Sequence, residues 1–489
     1  MLILEILYTI IFLLAFRYWH FLQIKNMPLW LMPTAFLIKI GVGILFLMMY
    51  LHPDTNNSVP SDTMRFLAES KNLRHVFTVS IKDYFSLLFG FGDDEYLIKK
   101  YLQDTFLWDA GSVTIVNDSR NIIRLHSVIQ FVSFGSAYIH SLFMCFIALI
   151  GLKHLYIAFQ PYSKVKPLLF FFVILLFPSI LFWTSGILKE PILLLGLGLC
   201  TRSFLSTDNK QKRIMYGIGG AILLFSIKPY VLASVIPAIL FYLLYKYLLK
   251  EKILISLIYL IIFIGLSTII LKPIRVKTVD FLSRKQYDFD HIGKGGLFIK
   301  GDTSQFYFNP SQFDKLDIDI EHKLVQIKKP TTCLIVSRKH TYSPVKRKIL
   351  PENKKRKLKY YVGGANSYIK TTMINRSFIQ LIKNIPEALI NSYFRPFPFD
   401  PGSSLKYPAM FEVWILSFIL IFSIIRRRKL NSNEKVLVIS LLIFSIFLFL
   451  IIGWTTPVIG AIFRYRFPAL LALILVSLIL VKPKEIKIQ

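Results

Sequence analysis

Long apolar segments place the strongest constraint on how this chain of 489 residues can fold. Eleven of them can be recognised. Several approach the roughly 20 residues that a helix needs to cross a bilayer, and several are shorter. They lie at roughly residues 2–16, 29–51, 137–158, 167–183, 190–205, 214–227, 230–248, 253–271, 409–425, 436–454 and 467–481. The pattern predicts an all-α polytopic membrane protein with about 11 transmembrane helices.

Composition excludes the main soluble alternatives. Apolar side chains make up 54% of the chain and the formal charge is +31, and a soluble chain this apolar would aggregate. Disordered, disulfide-rich secreted and nucleic-acid-binding proteins are therefore excluded. The three cysteines cannot form a disulfide framework, and Cys145 and Cys200 lie inside apolar segments, which predicts small core side chains.

The apolar run over residues 167–205 is interrupted by Trp183-Thr-Ser-Gly-Ile-Leu-Lys-Glu-Pro191. Within this stretch, Gly186, Lys189, Glu190 and Pro191 are poor residues for the centre of a lipid-facing helix. We therefore expect two short helices here. A single kinked span is the alternative.

The distribution of Lys and Arg predicts the orientation in the membrane. One set of short connections and span ends holds 20 basic and four acidic residues, whereas the opposite set holds only Lys189, Lys228, Arg464 and Arg466. Basic residues in short connections mark the cytoplasmic side. We expect the N-terminus outside and the C-terminus in the cytoplasm, in a multi-pass protein.

This orientation divides the chain into five parts. They are the first two transmembrane helices (1–51), an extracytoplasmic loop with interfacial helices (52–136), a transmembrane bundle (137–272), a basic extracytoplasmic segment (273–408) and the C-terminal transmembrane helices (409–489). Residues 273–408 carry 25 basic and 11 acidic residues. Long loops are exempt from the charge rule, so this segment does not contradict the orientation.

The first extracytoplasmic loop contains several candidate site residues. Ser61 or Asp62 fits a helix N-cap. Farther on, three charged residues lie shortly before a span, namely Asp109, Asp118 and Arg124. These residues predict either ordinary surface ion pairs or an interfacial site for a phosphate-bearing ligand.

The second extracytoplasmic segment combines a β-rich insert with an amphipathic helix. Residues 281–365 contain short β-like runs such as Phe306 to Phe308 and Cys333 to Val336, which predict a small mixed or β-rich subdomain. Residues 377–394 show helical apolar spacing with Pro386 as a possible kink. The prolines that follow would present Arg395 at headgroup depth, either in a rigid aromatic-proline anchor or as a phosphate contact.

The last extracytoplasmic turn carries Arg464 and Arg466 at the mouth of an apolar span. This position is unfavourable for a guanidinium unless it snorkels to the interface or binds an anion. The sequence is compatible with both interpretations.

Together, the Asp-bearing first loop, the interfacial helices, Phe394-Arg-Pro-Phe-Pro398 and Arg464-Tyr-Arg-Phe-Pro468 resemble the GT-C-type membrane glycosyltransferases and related proteins of bacterial surface-polysaccharide assembly. The resemblance is architectural and does not extend to the insert at 281–365. It implies transfer of a sugar from a polyprenyl-phosphate-linked donor to a glycan or lipid-linked acceptor. The reaction would take place on the outer face of the bacterial cytoplasmic membrane. Membrane lipids are expected partners, and nucleic acid is not.

The resemblance also implies roles for particular residues. In the family, an acid of the first extracytoplasmic loop is the catalytic base or a metal ligand, and Asp62 occupies the most comparable position, with Asp109 and Asp118 next in order. A divalent metal is therefore compatible with this site. The departing polyprenyl phosphate would be stabilised by basic side chains. The candidates are Arg124, Arg395, Arg464, Arg466 and Lys189.

Two other functions compete with a transferase. The first is a polysaccharide polymerase of the O-antigen type, which also acts on polyprenyl-linked glycans. Arg284 and Gly295 are separated by ten residues, a spacing that imitates a motif associated with polymerases. The other is a transporter or flippase for lipid-linked glycans. A transporter would place charged residues and broken helices at the middle of the membrane, whereas here the polar residues crowd the outer ends of the spans. No nucleotide-binding or Cys/His metal pattern is present in the sequence.

Overall fold

The computed structural model describes the chain except for residues 52–60, 93, 103–104, 106–107, 109–113, 115–116, 250–251, 301–304, 320–321, 323, 337–341 and 483–489. Its described part is mainly helical. The α-helices are α1 (Leu2–Tyr18), α2 (Leu31–Leu51), α3 (Asp62–Val79), α4 (Ile81–Phe89), α5 (Asp94–Leu97), α6 (Asp118–Ser133), α7 (Ala137–Phe159), α8 (Pro167–Leu176), α9 (Pro178–Trp183), α10 (Glu190–Leu205), α11 (Lys210–Ile227), α12 (Pro229–Leu243), α13 (Ile253–Ile270), α14 (Lys272–Lys294), α15 (Phe378–Lys383), α16 (Ile385–Leu389), α17 (Lys406–Ile425), α18 (Ser432–Thr455), α19 (Ile459–Tyr465) and α20 (Phe467–Leu480).

Each of the eleven apolar segments forms helix. Within the described residues, six helices are long and apolar enough to cross a membrane, or seven if α19 and α20, which meet at a bend of 50°, count as one span. By length and composition the chain is therefore a helical membrane protein. The number of 11 spans stays a prediction.

The run at 167–205 is interrupted before Glu190, as its polar residues predict, but it forms three helices and not the predicted two, because Pro178 disfavours helical backbone at Phe177 and α8 ends at Leu176. It forms α8, α9 and α10, and Pro178 and Pro191 occupy the first turns of α9 and α10, where a missing amide hydrogen is tolerated. The connection between α9 and α10 is held from α2, because Lys39 donates hydrogen bonds to Thr184 Oγ1 and Ser185 Oγ at 2.8 and 3.0 Å.

The centre of the bundle is α20. All of its residues are buried, in keeping with a helix that is apolar on every side. Residues of α7, α10, α12 and α18 belong to the same apolar core. Cys145 and Cys200 are buried there as free thiols, which confirms their assignment as core side chains.

A second apolar cluster lies under α3, α4 and α6. Its buried members include Phe66, Leu73, Leu87 and Ile122, together with Trp108. This cluster fixes the N-terminal ends of α3 and α6 on the bundle, because it also includes Met144 of α7 and Ile192 of α10.

The insert forms one seven-stranded half-barrel sheet. The strands are β1 (Gly296–Lys300), β2 (Gln305–Phe308), β3 (Leu316–Asp319), β4 (Leu324–Ile327), β5 (Thr331–Val336), β6 (Tyr342–Ile349) and β7 (Arg356–Val362). Their order is β3-β4-β7-β1-β2-β5-β6, with antiparallel pairing throughout. The β-like runs at Phe306 and Cys333 are thereby confirmed as β2 and β5.

The predicted start of the β-rich insert, residue 281, is wrong. Residues 281–294 belong to α14, which runs from Lys272 to Lys294. One face of the sheet packs on this helix, since Phe298 and Tyr307 cluster with Tyr287. The other face holds the core of the half-barrel, around Ile299, Phe306 and Leu358.

The amphipathic helix at 377–394 is present and is broken near Pro386, as its sequence predicts. It forms α15 and α16, separated at Asn384, and a π-helical turn over Ile390–Phe394.

Candidate functional site

The first ion pair of the site joins two ends of the chain. Arg464 Nη1 of α19 donates a hydrogen bond to Asp62 Oδ2 of α3 at 2.8 Å. Asp62 is not the N-cap of α3, because Ser61 holds that position and accepts from the Met64 amide at 3.3 Å. The carboxylate of Asp62 is therefore available to the arginine.

A second, fully buried pair lies beside the first. Lys228 Nζ donates to Glu190 Oε1 at 2.8 Å, and the two side chains are only 2% and 1% exposed. Arg464 Nε lies 3.5 Å from the same Glu190 oxygen. Arg464 thus connects Asp62 with Glu190.

A third pair completes the group. Lys189 Nζ donates to Asp118 Oδ2 at 2.6 Å and to Ser119 Oγ at 2.8 Å. We call the six residues of these three pairs the charged cluster: Asp62, Asp118, Lys189, Glu190, Lys228 and Arg464. Its three acidic and three basic side chains have a formal charge of zero.

The local sequence explains why these charges meet. Asp62, Asp118 and Glu190 are the first residues of α3, α6 and α10, and Lys228 immediately precedes α12. The N-terminus of a helix carries a partial positive charge that favours acidic side chains. Four helix N-termini converge on this site, and three of them present a carboxylate.

Aromatic side chains border the charged cluster. Lys228 Nζ lies 4.2 Å from the centre of the Tyr465 ring, within the range of a cation–π contact. The rings of Tyr230 and Phe289 each have their centres 6.3 Å from that of Tyr465. Through Phe289, the border includes α14, the helix on which the sheet packs.

The positive charges keep both loop carboxylates ionised. Burial by itself would raise the pKa of Asp62, but the charge of Arg464, assisted by Lys189, lowers that pKa from 3.8 to about 2. Burial likewise opposes ionisation of Asp118, and the charge of Lys189 overcomes it, so the pKa of Asp118 is also lowered. Both carboxylates are negatively charged at neutral pH.

The structure places Arg466 apart from the charged cluster. Its guanidinium is fully buried, and Nη1 donates to the carbonyl oxygens of Ser392, Tyr393 and Arg395 at 3.2, 3.0 and 2.5 Å. This arginine fastens the turn after α16 to the start of α20. Phosphate binding by Arg466 stays a prediction.

Two other predicted phosphate contacts also lie elsewhere. Arg395 donates to Asn391 Oδ1 at 2.9 Å and pairs with Asp400. Arg124 donates to the Leu87 carbonyl at 2.8 Å, and its guanidinium lies 5.1 Å from the centre of the Trp108 ring. Of the predicted site residues, the structure brings together Asp62, Asp118, Lys189 and Arg464. Asp109 lies outside the described residues.

The sequence does not indicate that Glu190 pairs with Lys228. Lys189 and Glu190 are adjacent, but each of them pairs with a more distant residue. One signal in the sequence could have indicated Lys228. This lysine directly precedes Pro229 and an apolar helix, and a cation at such a position needs a partner. The residues of the polymerase-like spacing have local roles: Arg284 pairs with Asp280 at 2.8 Å, and Gly295 ends α14 with a φ of 78°.

An apolar cavity of about 120 Å³ lies between α7, α10, α12, α18 and α20. Leu197 and Val235 line it, and each is seven residues further along its helix than Glu190 and Lys228 respectively. Seven residues correspond to about 10 Å along a helix axis. The cavity and the charged cluster are therefore built on the same two helices, about two turns apart.

Within the described residues, no group of three or more His, Cys, Asp or Glu side chains is arranged to hold a metal ion. No family model, no curated protein and no solved structure matches the chain.

Proposed function

We propose that this protein is a GT-C-like membrane glycosyltransferase. It transfers a sugar from a polyprenyl-phosphate-linked donor to a glycan or lipid-linked acceptor in cell-surface polysaccharide or glycoconjugate assembly. The observation that carries the proposal is the charged cluster, in which an acid of the first large loop meets an arginine of the last helix pair beside further charged side chains. The site residues are Asp62 and Asp118 as acids, and Arg464, Lys228 and Lys189 as cations.

The proposal places the charged cluster at the extracytoplasmic face of the bacterial cytoplasmic membrane. In this arrangement eleven spans leave the N-terminus outside and the C-terminus inside. Support comes from α10, which begins at Glu190 and has Arg202 in its last turn. The cluster thus lies at the end opposite to the basic connections, which mark the cytoplasmic side.

The chemistry of an amphipathic donor fits this arrangement. As the bond between the sugar and the phosphate breaks, negative charge grows on the phosphate, and fixed cations in a partly desolvated site stabilise that charge. Lys189 and Arg464 have partly exposed side chains, at 12% and 17%. The apolar cavity along α10 and α12 has the lining that a prenyl chain requires.

An acceptor hydroxyl must lose its proton as it attacks the anomeric carbon, and a carboxylate within reach assists this step. The resemblance assigns that role to Asp62, which is ionised and 40% exposed. A separate measurement tests whether the reaction requires a divalent metal. It compares the transfer rate with and without a chelator.

The test is transfer by the purified protein in lipid nanodiscs. A panel of polyprenyl-phosphate-linked tritiated sugars serves as donor, and octyl hexosides with extracted lipid-linked glycans serve as acceptors. We expect labelled product from at least one donor, and loss of that product in Asp62→Ala and Arg464→Ala. The absence of transfer from every donor would refute the proposal.

A matched control is available at the other end of α10. Arg202 Nε lies 2.8 Å from Asp208 Oδ2, the same separation as between Arg464 and Asp62, and these side chains are 14% and 24% exposed. Asp208→Ala removes an ion pair of similar geometry without touching the charged cluster. We expect this variant to transfer sugar at close to the wild-type rate per folded molecule.

A further inference from the structure

Three buried polar atoms next to the Glu190–Lys228 pair have no hydrogen-bond partner among the described residues. They are Glu190 Oε2, Arg464 Nε and the Tyr230 hydroxyl. Arg464 Nε is 3.5 Å from Glu190 Oε1, and Lys228 Nζ, which pairs with Glu190, is 5.9 Å from the centre of the Tyr230 ring. All three atoms therefore belong to side chains grouped around the Glu190–Lys228 pair.

Such a concentration is unusual, because about 90% or more of buried polar groups in proteins are paired. A buried carboxylate oxygen without a partner is especially unfavourable. The Glu190 side chain is 1% exposed, so bulk water does not compensate it. A polar group of a ligand placed among these three atoms would supply the hydrogen bonds that they lack.

The donor and acceptor pattern identifies the class of that group. Glu190 Oε2 only accepts, Arg464 Nε only donates and the tyrosine hydroxyl does both. A ligand that satisfies all three must itself donate and accept, as a hydroxyl does. A phosphate is a poor fit at this point, because its negative charge would face the unpaired carboxylate oxygen of Glu190.

We propose that Glu190 Oε2 binds the acceptor hydroxyl and takes its proton. This inference rests on the proposed function. The acceptor oxygen forms a bond to the anomeric carbon, the bond from that carbon to the phosphate oxygen breaks, and its electron pair leaves with the polyprenyl phosphate. The proton moves to Glu190, Tyr230 orients the hydroxyl, and Asp62 positions Arg464. The catalytic carboxylate is then Glu190 and not Asp62.

The decisive variants are Glu190→Gln and Tyr230→Phe, assayed with octyl hexosides as acceptors. We expect Glu190→Gln to lose a factor of about 10² to 10⁴ in transfer rate, which is the usual contribution of a general base. The transfer rate of the wild type should depend on pH because Glu190 must be deprotonated to act as a base. Glu190→Gln should lose this pH dependence. Tyr230→Phe should raise KM for the octyl hexoside more than it lowers kcat.

A structural role for Glu190 gives a different result. If Glu190 only neutralises Lys228, the double variant Glu190→Gln/Lys228→Met transfers sugar at the same rate per folded molecule as Lys228→Met alone. We expect the double variant to be slower than Lys228→Met by a factor of about 10² to 10⁴. Glu412→Gln is the matched control, because Glu412 is another buried carboxylate of the bundle and holds Ser179, away from the charged cluster.

Failure of this inference is distinguishable from failure of the proposed function. Wild-type transfer that persists within tenfold in Glu190→Gln, or in the double variant, overturns the role of Glu190 and leaves the transferase intact. A second outcome is that the wild-type protein binds octyl hexosides but transfers no sugar, and that Glu190→Gln and Tyr230→Phe lose the binding. This outcome supports the hydroxyl site and overturns the transferase. Absence of both binding and transfer in the wild type overturns both.

Discussion

Arg464 Nη1 and Asp62 Oδ2 lie 2.8 Å apart although 402 residues separate them in the sequence. The contact joins α3, which lies within the segment predicted as the first extracytoplasmic loop (52–136), to α19, which precedes the central helix α20. An exposed ion pair contributes little to stability. Here the arginine also approaches buried Glu190, so the contact links the loop to the core of the charged cluster.

The two arginines of the last turn should respond differently to alanine. In Arg466→Ala, three carbonyls lose their donor, one in a buried and two in partly buried hydrogen bonds, and an unpaired buried acceptor costs about 1–3 kcal/mol. We expect a large loss of folded protein. Arg464→Ala should keep more folded protein and lose transfer or donor binding, with partial rescue by Arg464→Lys, which lacks the planar fork. Size-exclusion yield and transfer per folded molecule separate the two, and equal yields would contradict this division.

Asp62 should tolerate asparagine better than alanine. The amide oxygen of Asn can still accept from Arg464, whereas Ala removes the partner and leaves Arg464 to pair with Glu190 alone. Loss of the helix cap does not complicate the comparison, because Ser61 is the cap. We expect measurable transfer in Asp62→Asn and much less in Asp62→Ala at equal abundance. A loss above about 10²-fold in Asp62→Asn, with Glu190→Gln active, would identify Asp62 as the base.

The acid stability of the protein should depend on Asp62. Its pKa is lowered from 3.8 to about 2, so the pairing stabilises the fold fully above about pH 4 and is lost as the pH falls through about 2. The melting temperature of the wild type in detergent should exceed that of Asp62→Asn at pH 6. That difference should shrink between about pH 4 and pH 2. A constant difference over this range would show that the charge of Asp62 is not what stabilises the fold.

The sequence predicted the helices because apolar length is a local property. Every apolar segment forms helix, and the break before α10 follows from the local residues Lys189, Glu190 and Pro191. Pairing of charges is not local. The adjacent Lys189 and Glu190 bind Asp118 and Lys228, and only the packing of α6 and α12 against α10 determines this. For the same reason, sequence could not separate Arg464, at the cluster, from Arg466, which binds main-chain carbonyls.

Topology can be tested with single cysteines, but the native Cys333 is unsuitable because it is buried in β5. The exposed residues Lys329 and Lys210 are better positions, once the native cysteines are replaced. We expect Lys329→Cys in intact cells to react with a membrane-impermeant maleimide. Lys210→Cys should react only after the membrane is opened, since its loop belongs to the basic set. The reverse pattern would invert the proposed orientation and place the charged cluster at the cytoplasmic face.

The packing of α18 on α16 leaves no room for a side chain at Gly453. A Cβ there would lie 2.0 Å from the carbonyl oxygen of Ala388 and 2.5 Å from its carbonyl carbon, and a backbone cannot give way as a flexible side chain can. Overpacking of this kind costs about 1–3 kcal/mol, and a shift of α16 would also displace the carbonyls that Arg466 binds. We expect Gly453→Ala to lower the melting temperature in nanodiscs.

Gly265→Ala in α13 is the control for this substitution, because a Cβ at that position meets nothing within 4 Å. Alanine is the better helix former by about 1 kcal/mol, so this variant should be as stable as the wild type or slightly more stable. Equal melting temperatures for the two alanine variants would show that α16 and α18 are not packed this closely.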